Sequence, residues 1–190
     1  MIETPGEEFT AVRGEAFVLR TWRPGDEDAL VHHANDRRIW RNMSDDFPHP
    51  YTYAEARRWI LQCMENTNDD IHHAIVTPDG PCGGIGMRYL MGNYRHTAEI
   101  GYWLGASHWG HGLATRVVAA FTQHAFACQG DKLQRLHARV FEWNPASCRV
   151  LEKAGYTFEG IWRHSCLKDG EFADVHIYSM TRPDFEARIP

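Results

Sequence analysis

The amino-acid sequence predicts a mixed α+β domain: a largely antiparallel central sheet containing one parallel strand pair, flanked by helices. Three observations predict it. Ile71 to Thr77 and Pro81 to Leu90 flank Pro78-Asp79-Gly80, a strong turn signal, so two strands follow one another with no helix between them. Ala98, Ile100, Tyr102 and Leu104 then alternate with Glu99, Gly101 and Trp103, the period of a half-buried strand, before Leu113, Val117 and Phe121 take up helical spacing. Gln134 to Phe141 reads as a strand after that helix, and the right-handed crossover rule makes it parallel to the strand before it. A doubly wound fold needs helices between successive strands from the start, so this order argues against one.

In chain order, residues 1–14 read as a flexible leader, 15–182 as a single domain and 183–190 as a tail. Glu15 to Trp22 is the first strand, ended by Arg23-Pro24-Gly25. Asp26, Glu27 and Asp28 place negative charge at the start of the next helix, where it complements the helix dipole, and Ala29, Leu30, His33 and Ala34 are its buried side. Pro48 and Pro50 exclude a continuous helix between Asp36 and Tyr53, which leaves a short helix followed by an irregular crossing loop. Thr52 caps the following helix, with Glu55 three residues on completing a capping box, and its apolar positions are Ala56, Trp59, Ile60, Cys63 and Met64.

The hairpin comes next, its second strand weakened or bulged by Gly83, Gly84 and Gly86. Gly92-Asn93 turns the chain into the central strand, Arg95 to Leu104. After the parallel strand, Asn144 is an N-cap with Pro145 at the first helical position. Val150, Leu151 and Ala154 form that helix's buried stripe, and Gly155 ends it. Tyr156 to Trp162 starts another strand, Lys168-Asp169-Gly170 turns it, and Glu171 to Met180 returns.

Composition narrows the classes of function. The 190 residues, 43% hydrophobic and 24% charged, are enough for one domain with a substantial core. A formal net charge of -5 gives no general basic footprint for nucleic acid. The sequence has no apolar run long enough for a membrane span and an acidic beginning unlike a signal peptide, which points to the cytoplasm. Five scattered cysteines without a C-x-x-C pair read as reduced thiols. Twelve histidines raise the question of a metal. The adjacent pairs His32-His33 and His72-His73 point opposite ways on a strand, and H-E-x-x-H is absent, so no metal is expected.

The most informative stretch is Ser107-His108-Trp109-Gly110-His111-Gly112, between the central strand and its helix. Two glycines let the backbone approach a ligand closely, and the first amides of the helix have no intrahelical acceptor, so the turn suits an anion such as a pyrophosphate. Neither a Walker loop nor G-x-G-x-x-G occurs. The stretch resembles motif A of the GNAT acyltransferases, R/Q-x-x-G-x-G/A, with Ser107 in the R/Q slot as a departure. GYWL followed by WGHGLAT is most similar to the RimJ/RimL branch, whose founding members acetylate protein N-termini. Asn144 to Tyr156, N-x-x-S-x-x-x-L-E-K-x-G-Y, is a second and more specific resemblance, and E-G-x-x-R followed by K-D-G-x-x-x-D extends it through the final hairpin.

The resemblance implies the GNAT fold, in which the parallel pair splays to admit acetyl-CoA as co-substrate. It places the pantetheine arm against the backbone of Tyr102, Trp103 and Leu104, and the pyrophosphate on Trp109, Gly110, His111, Gly112, Leu113 and Ala114. Asn144 holds the pantetheine or the helix start. Transfer is by direct attack of an amine on the thioester. Glu99 is the candidate base, acting on the amine through water, unless it simply pairs with an arginine; Ser147 is the candidate acid for the departing thiolate. Arg41, Phe47 and Tyr51, in the loop between the first helices, are candidate acceptor contacts, although aromatics there also serve to pin a long loop.

The expected activity is therefore acetyl-CoA-dependent N-acetyl transfer to a primary amine, foremost a protein or peptide N-terminal α-amine. The alternatives are an acetyltransferase for a small amine (an amino acid, a polyamine or an aminoglycoside-like molecule) and a non-catalytic acyl-CoA-binding sensor; an interaction module reusing the fold is a third class. Edge strands and exposed aromatics permit a homodimer. No membrane partner is expected.

Overall fold

The computed structural model describes residues 9–10, 17–65 and 70–188. Among them the strands form one eight-stranded sheet in the order β1-β2-β3-β4-β5-β6-β8-β7. β1 (Phe9–Thr10) pairs antiparallel with β2 (Val18–Thr21), so this part of the expected leader joins the sheet; the rest of residues 1–14 lies outside the described residues. β3 (Ile71–Thr77) and β4 (Gly80–Tyr89) form the expected hairpin. Its ladder carries an irregularity where Ile75 faces Gly83 and Val76 faces Pro81, leaving Cys82 as the extra residue.

β4 pairs antiparallel with β5 (Thr97–Leu104), and β5 pairs parallel with β6 (Arg135–Phe141). β7 (Thr157–Lys168) and β8 (Glu171–Thr181) close the sheet, β8 lying against β6. β7 is longer than the periodicity predicts. It continues past Trp162 through an irregular register between Trp162 and Cys166, where His164 takes a positive φ of 54°, and only then reaches the Asp169-Gly170 turn. A bulge scrambles the alternation that marks a strand in the sequence.

Helices cover both faces. α4 (Leu113–Gln129) buries Val117, Val118, Phe121 and Phe126 against Leu19, Ile75, Ile85, Met87, Ala98 and Ile100. α5 (Pro145–Ala154) joins the same core through Cys148 and Leu151. On the opposite face α1 (Glu27–Ala34) and α3 (Tyr53–Met64) enclose a second cluster of Trp22, Leu30, Ala34, Ala56, Ile60, Cys63 and Ala74. Ala74 and Ile75 fall in different clusters, as alternation along a strand requires.

Local chemistry explains most boundaries. Asp36 caps α2 (Arg37–Trp40) by accepting from the Arg38 amide. Thr52 accepts from the Glu55 amide at 3.3 Å, but the Glu55 carboxylate pairs with Arg58, so the expected capping box is half built. Asn144 caps α5 with Pro145 at its start, and Gly155 ends it in the left-handed region at φ 92°. The expected tail begins within a short helix, α6 (Arg182–Glu186), whose Thr181 and Asp184 form a complete capping box. Arg20 and Asp26, each about 5% exposed, form a two-bond ion pair at 2.7 and 2.8 Å under α1. Removing one partner of such a pair strands the other charge and costs about 3–5 kcal/mol. All five cysteines are free, and burial raises the thiols of Cys63 and Cys82 to about 12 and 11. No described helix is long and apolar enough to cross a membrane.

Candidate active site

The parallel pair is short. Its register runs Thr97 to Arg135, Ala98 to Leu136 and Glu99 to His137, and stops there. Beyond it, the carboxyl ends of β5 and β6 each lead through a loop into a helix start, α4 and α5, so two helix N-termini flank one opening. A cleft of about 1340 Å³ occupies it. Of the residues singled out in the sequence, Phe47, Tyr51, Glu99, Tyr102, Trp103, Leu104, Trp109, Gly110, Gly112, Leu113, Ala114, Asn144 and Ser147 all line this cleft. Two do not. Arg41 turns away and its guanidinium lies over the Trp143 ring at 5.0 Å, and the exposed His111 is outside the wall, its carbonyl accepting from Arg116. Arg41 was expected as an acceptor contact from its place in the loop between the first helices; instead the Trp143 ring offers its guanidinium a cation–π partner.

At the start of α4 the glycines do what the turn needs. Gly110 and Gly112 have φ of 82° and 72°, conformations that an L side chain resists, and Gly112 is the N-cap itself. A Cβ at Gly110 would meet nothing within 4 Å, so the space above the turn is open to a ligand. The Trp109 indole folds back to donate to the Leu104 carbonyl at 2.8 Å, and Arg38 covers its ring at 5.3 Å. Gly105 is glycine for another reason: a Cβ there would sit 2.3 Å from Nδ1 of His33. Burial, with His32 and His108 nearby, lowers the proton affinity of His33.

At the mouth of the splay Arg139 donates from Nε and Nη2 to the two carboxylate oxygens of Glu99, both at 2.7 Å. The pair bridges β5 and β6, Glu99 at their last ladder position and Arg139 two residues beyond it. His137, beside it, is buried, which lowers its proton affinity, and its Nδ1 has no hydrogen-bond partner. Deeper in, the Tyr102 hydroxyl lies 2.7 Å from Oγ of Ser147 and donates to the Ser147 carbonyl at 3.3 Å. Burial raises the Tyr102 phenol well above its ordinary range and keeps it protonated. Asn144 accepts from the Ser147 amide at 3.2 Å, so its side chain serves the helix start.

The other end of the cleft lies between the α2–α3 loop and the final hairpin. Phe47 packs against Trp103 and Tyr51, with ring centroids 5.7 and 5.0 Å apart. Tyr51 is only 4% exposed and belongs to the second core, so it pins the loop from beneath. Lys168, its side chain 1% exposed, donates to Asp45 at 2.8 Å and sits 4.0 Å from the Trp40 ring centroid. Arg37 joins Asp169 at 2.6 Å, so two ion pairs tie the loop to the hairpin tip. Arg139 and Lys168 were not singled out in the sequence. The alternation of β6 puts Arg139 on the Glu99 face and is a usable signal; the Lys168 contact spans 123 residues and leaves none. Among the described residues no group of three or more His, Cys, Asp or Glu could hold a metal ion.

A family model described as an acetyltransferase (GNAT) domain matches residues 17–157. The chain is 33% identical over 184 residues to a probable N-acetyltransferase, YjcK, of Bacillus subtilis, covering 92% of this chain and 99% of that one. It is 36% identical over 88 residues to the ribosomal-protein-serine acetyltransferase of Escherichia coli, 44% of this chain and 45% of that one. The structure of RimL, a ribosomal L7/L12 alpha-N-protein acetyltransferase in complex with coenzyme A, superposes with a TM-score of 0.77 at 20% identity, covering 94% and 99% of the two chains.

Proposed function

The chain belongs to the GNAT acetyltransferases, and from that premise we propose that it transfers an acetyl group from acetyl-CoA to the α-amine at the N-terminus of a peptide or protein. The observation that carries the choice of acceptor is the pairing of Glu99 with Arg139 through both carboxylate oxygens. Both carboxylate oxygens are engaged by the guanidinium, which leaves Glu99 to orient an amine through water. An α-amine needs roughly 1 kcal/mol to lose its proton at pH 7, whereas a lysine amine needs roughly 4.6 kcal/mol. The site therefore suits the amine that is already partly neutral. Similarity to a ribosomal-protein acetyltransferase over part of the chain supports the same acceptor class.

The residues present fit the coenzyme. The open, left-handed glycines at 110 and 112 and the α4 amides through Ala114 would hold the pyrophosphate, the His111 amide among them. The unpaired side of β5 at Tyr102, Trp103 and Leu104 would take the pantetheine amides as an added strand, with Trp109 bordering it. When bound, acetyl-CoA supplies an activated acetyl group, so no acyl-enzyme is needed. Glu99 keeps a lone pair on each oxygen and orients the amine through water, Arg139 holding the carboxylate in place. Ser147 would pass its hydroxyl proton to the leaving sulfur while taking up the proton that the acetylated amine sheds, so the hydroxyl ends as it began, and Asn144 fixes the turn of helix that carries it.

The test is free-thiol release from acetyl-CoA with a panel of amines: short peptides differing in their first residue, free amino acids, polyamines and aminoglycosides. Release with peptides, and not with their N-terminally blocked forms, is the expected result. Release with small amines alone overturns the acceptor assignment. Acetyl-CoA raising the melting temperature without turnover of any amine leaves a sensor in place of an enzyme.

A further inference from the structure

Gly101 sits in the middle of β5, the fifth strand of the sheet, where a glycine weakens the ladder unless something needs its missing side chain. Nothing in the protein does. Its φ is outside the left-handed region, and a Cβ built on it meets no atom within 4 Å. The neighbouring glycines of β4 are different. A Cβ at Gly84 would lie 2.8 Å from Nε1 of Trp103, and one at Gly86 would lie 2.4 Å from the Ile71 carbonyl and 2.8 Å from Nδ1 of His72. Those two are glycine because the protein itself fills the space beside them. Gly101 is exposed: β4 pairs with it on one side, and on the other the β6 ladder has already ended at Glu99.

The register shows what that space is. Gly101 faces Gly86 across the ladder, with Arg88 opposite Glu99 two positions one way and Gly84 opposite Trp103 two positions the other. Alternation puts Glu99, Gly101 and Trp103 on one face. Gly101 thus leaves a strip of bare backbone inside the cleft, between the Glu99 carboxylate and the Trp103 ring and bordered by the His72 side chain at Gly86, with Phe47 and Trp59 also on the cleft wall.

We propose that Gly101 is the floor of the acceptor channel, and that its missing side chain sets how bulky the residue carrying the amine can be. The inference rests on the acetyltransferase reading and refines it to N-terminal residues slim enough to lie against the strand. The amine points to Glu99 and the acceptor's first residue runs over the strip toward Trp103. Gly101 contributes room, so its role is specificity.

The experiment uses Gly101→Ala and Gly101→Val in the full chain, with peptides that the parent acetylates. Both variants are expected to fold with melting temperatures at or near the parent's, since a Cβ at this position meets no atom within 4 Å and glycine in a strand interior weakens it. Acetyl-CoA binding, read by calorimetry, is expected within about twofold of the parent, while kcat/KM falls about tenfold for alanine and roughly a hundredfold for valine, as a displaced acceptor would give. Among accepted peptides the loss grows with the size of the first residue. Valine activity within about threefold of the parent overturns the proposal. So does parallel loss of acetyl-CoA binding, which would put Gly101 beneath the coenzyme. A parent that turns over no amine fails at the first step and overturns the acetyltransferase reading, and the channel with it.

Discussion

The hydroxyls of Tyr102, in β5, and Ser147, in the first turn of α5, lie 2.7 Å apart and join the two elements that border the opening of the sheet. When Tyr102 donates to Oγ, the serine proton is released toward the cleft. When Tyr102 donates to the Ser147 carbonyl instead, the serine proton turns back to the phenol. The buried phenol stays protonated, so it acts as a donor that positions Ser147. Ser147→Ala is expected to lower kcat by about a hundredfold with the acetyl-CoA KM little changed, the usual scale for losing a general acid. Tyr102→Phe is expected to show part of that loss, and the double variant no more than Ser147→Ala alone. Both losses shrink with an acetyl thioester whose thiol is more acidic, because that leaving group needs less protonation. Additive losses, or losses indifferent to the leaving group, assign the pair a structural role.

Phe47 and Arg41 belong to the same loop but differ in where they point. Phe47 lines the cleft against Trp103, and Arg41 lies over Trp143 outside it. Phe47→Ala is expected to raise the acceptor KM about tenfold, the value of one buried aromatic contact. Arg41→Ala is expected to leave it within about twofold. Steady-state kinetics with one peptide acceptor measures both, and an Arg41 effect as large as that of Phe47 would falsify this division.

His73 supplies a pH dependence of stability. Its ring packs near Phe121 and His124, its Nδ1 has no hydrogen-bond partner, and burial lowers its pKa to about 4 from an ordinary value of 6.5. The unfolded chain therefore binds a proton, between pH 6.5 and 4, that the folded chain refuses. Stability is complete above the unfolded value and is lost as pH falls. By linkage the loss between pH 7.5 and 5 is roughly 2 kcal/mol, or about 4–8 °C in melting temperature for a domain of this size. His72 and His124, lowered by the same cause, add to the slope in the parent. His73→Gln should remove its own share. Melting curves of both proteins across that range decide it, and parallel slopes would remove His73 from the account.

The sequence by itself determined the order of elements and the local devices that end them. The Pro78-Asp79-Gly80 turn, the Gly110 and Gly112 start of α4, and Asn144 with Pro145 at α5 each depend on residues a few positions apart, and all appear where expected. The parallel β5–β6 pair followed from a single crossover. Strand ends and side-chain partners were less legible. The irregular ladder of β7 interrupts its alternation, and the short β1 offered too few residues for any period to show.

Only the tertiary structure decided which side chains meet. Glu99 and Arg139 are 40 residues apart, Tyr102 and Ser147 are 45 apart, and Asp45 and Lys168 are 123 apart. Each pairing depends on sheet register, on where β5 and β6 part, and on how the final hairpin folds over the α2–α3 loop. Gly101 shows the difference most directly. As a letter in the sequence it marks a weak point in a strand. In the fold its Cβ position is open while those of Gly84 and Gly86 are blocked, because a glycine's reason lies in what surrounds it, and those surroundings come from strands that the chain brings together only when it folds.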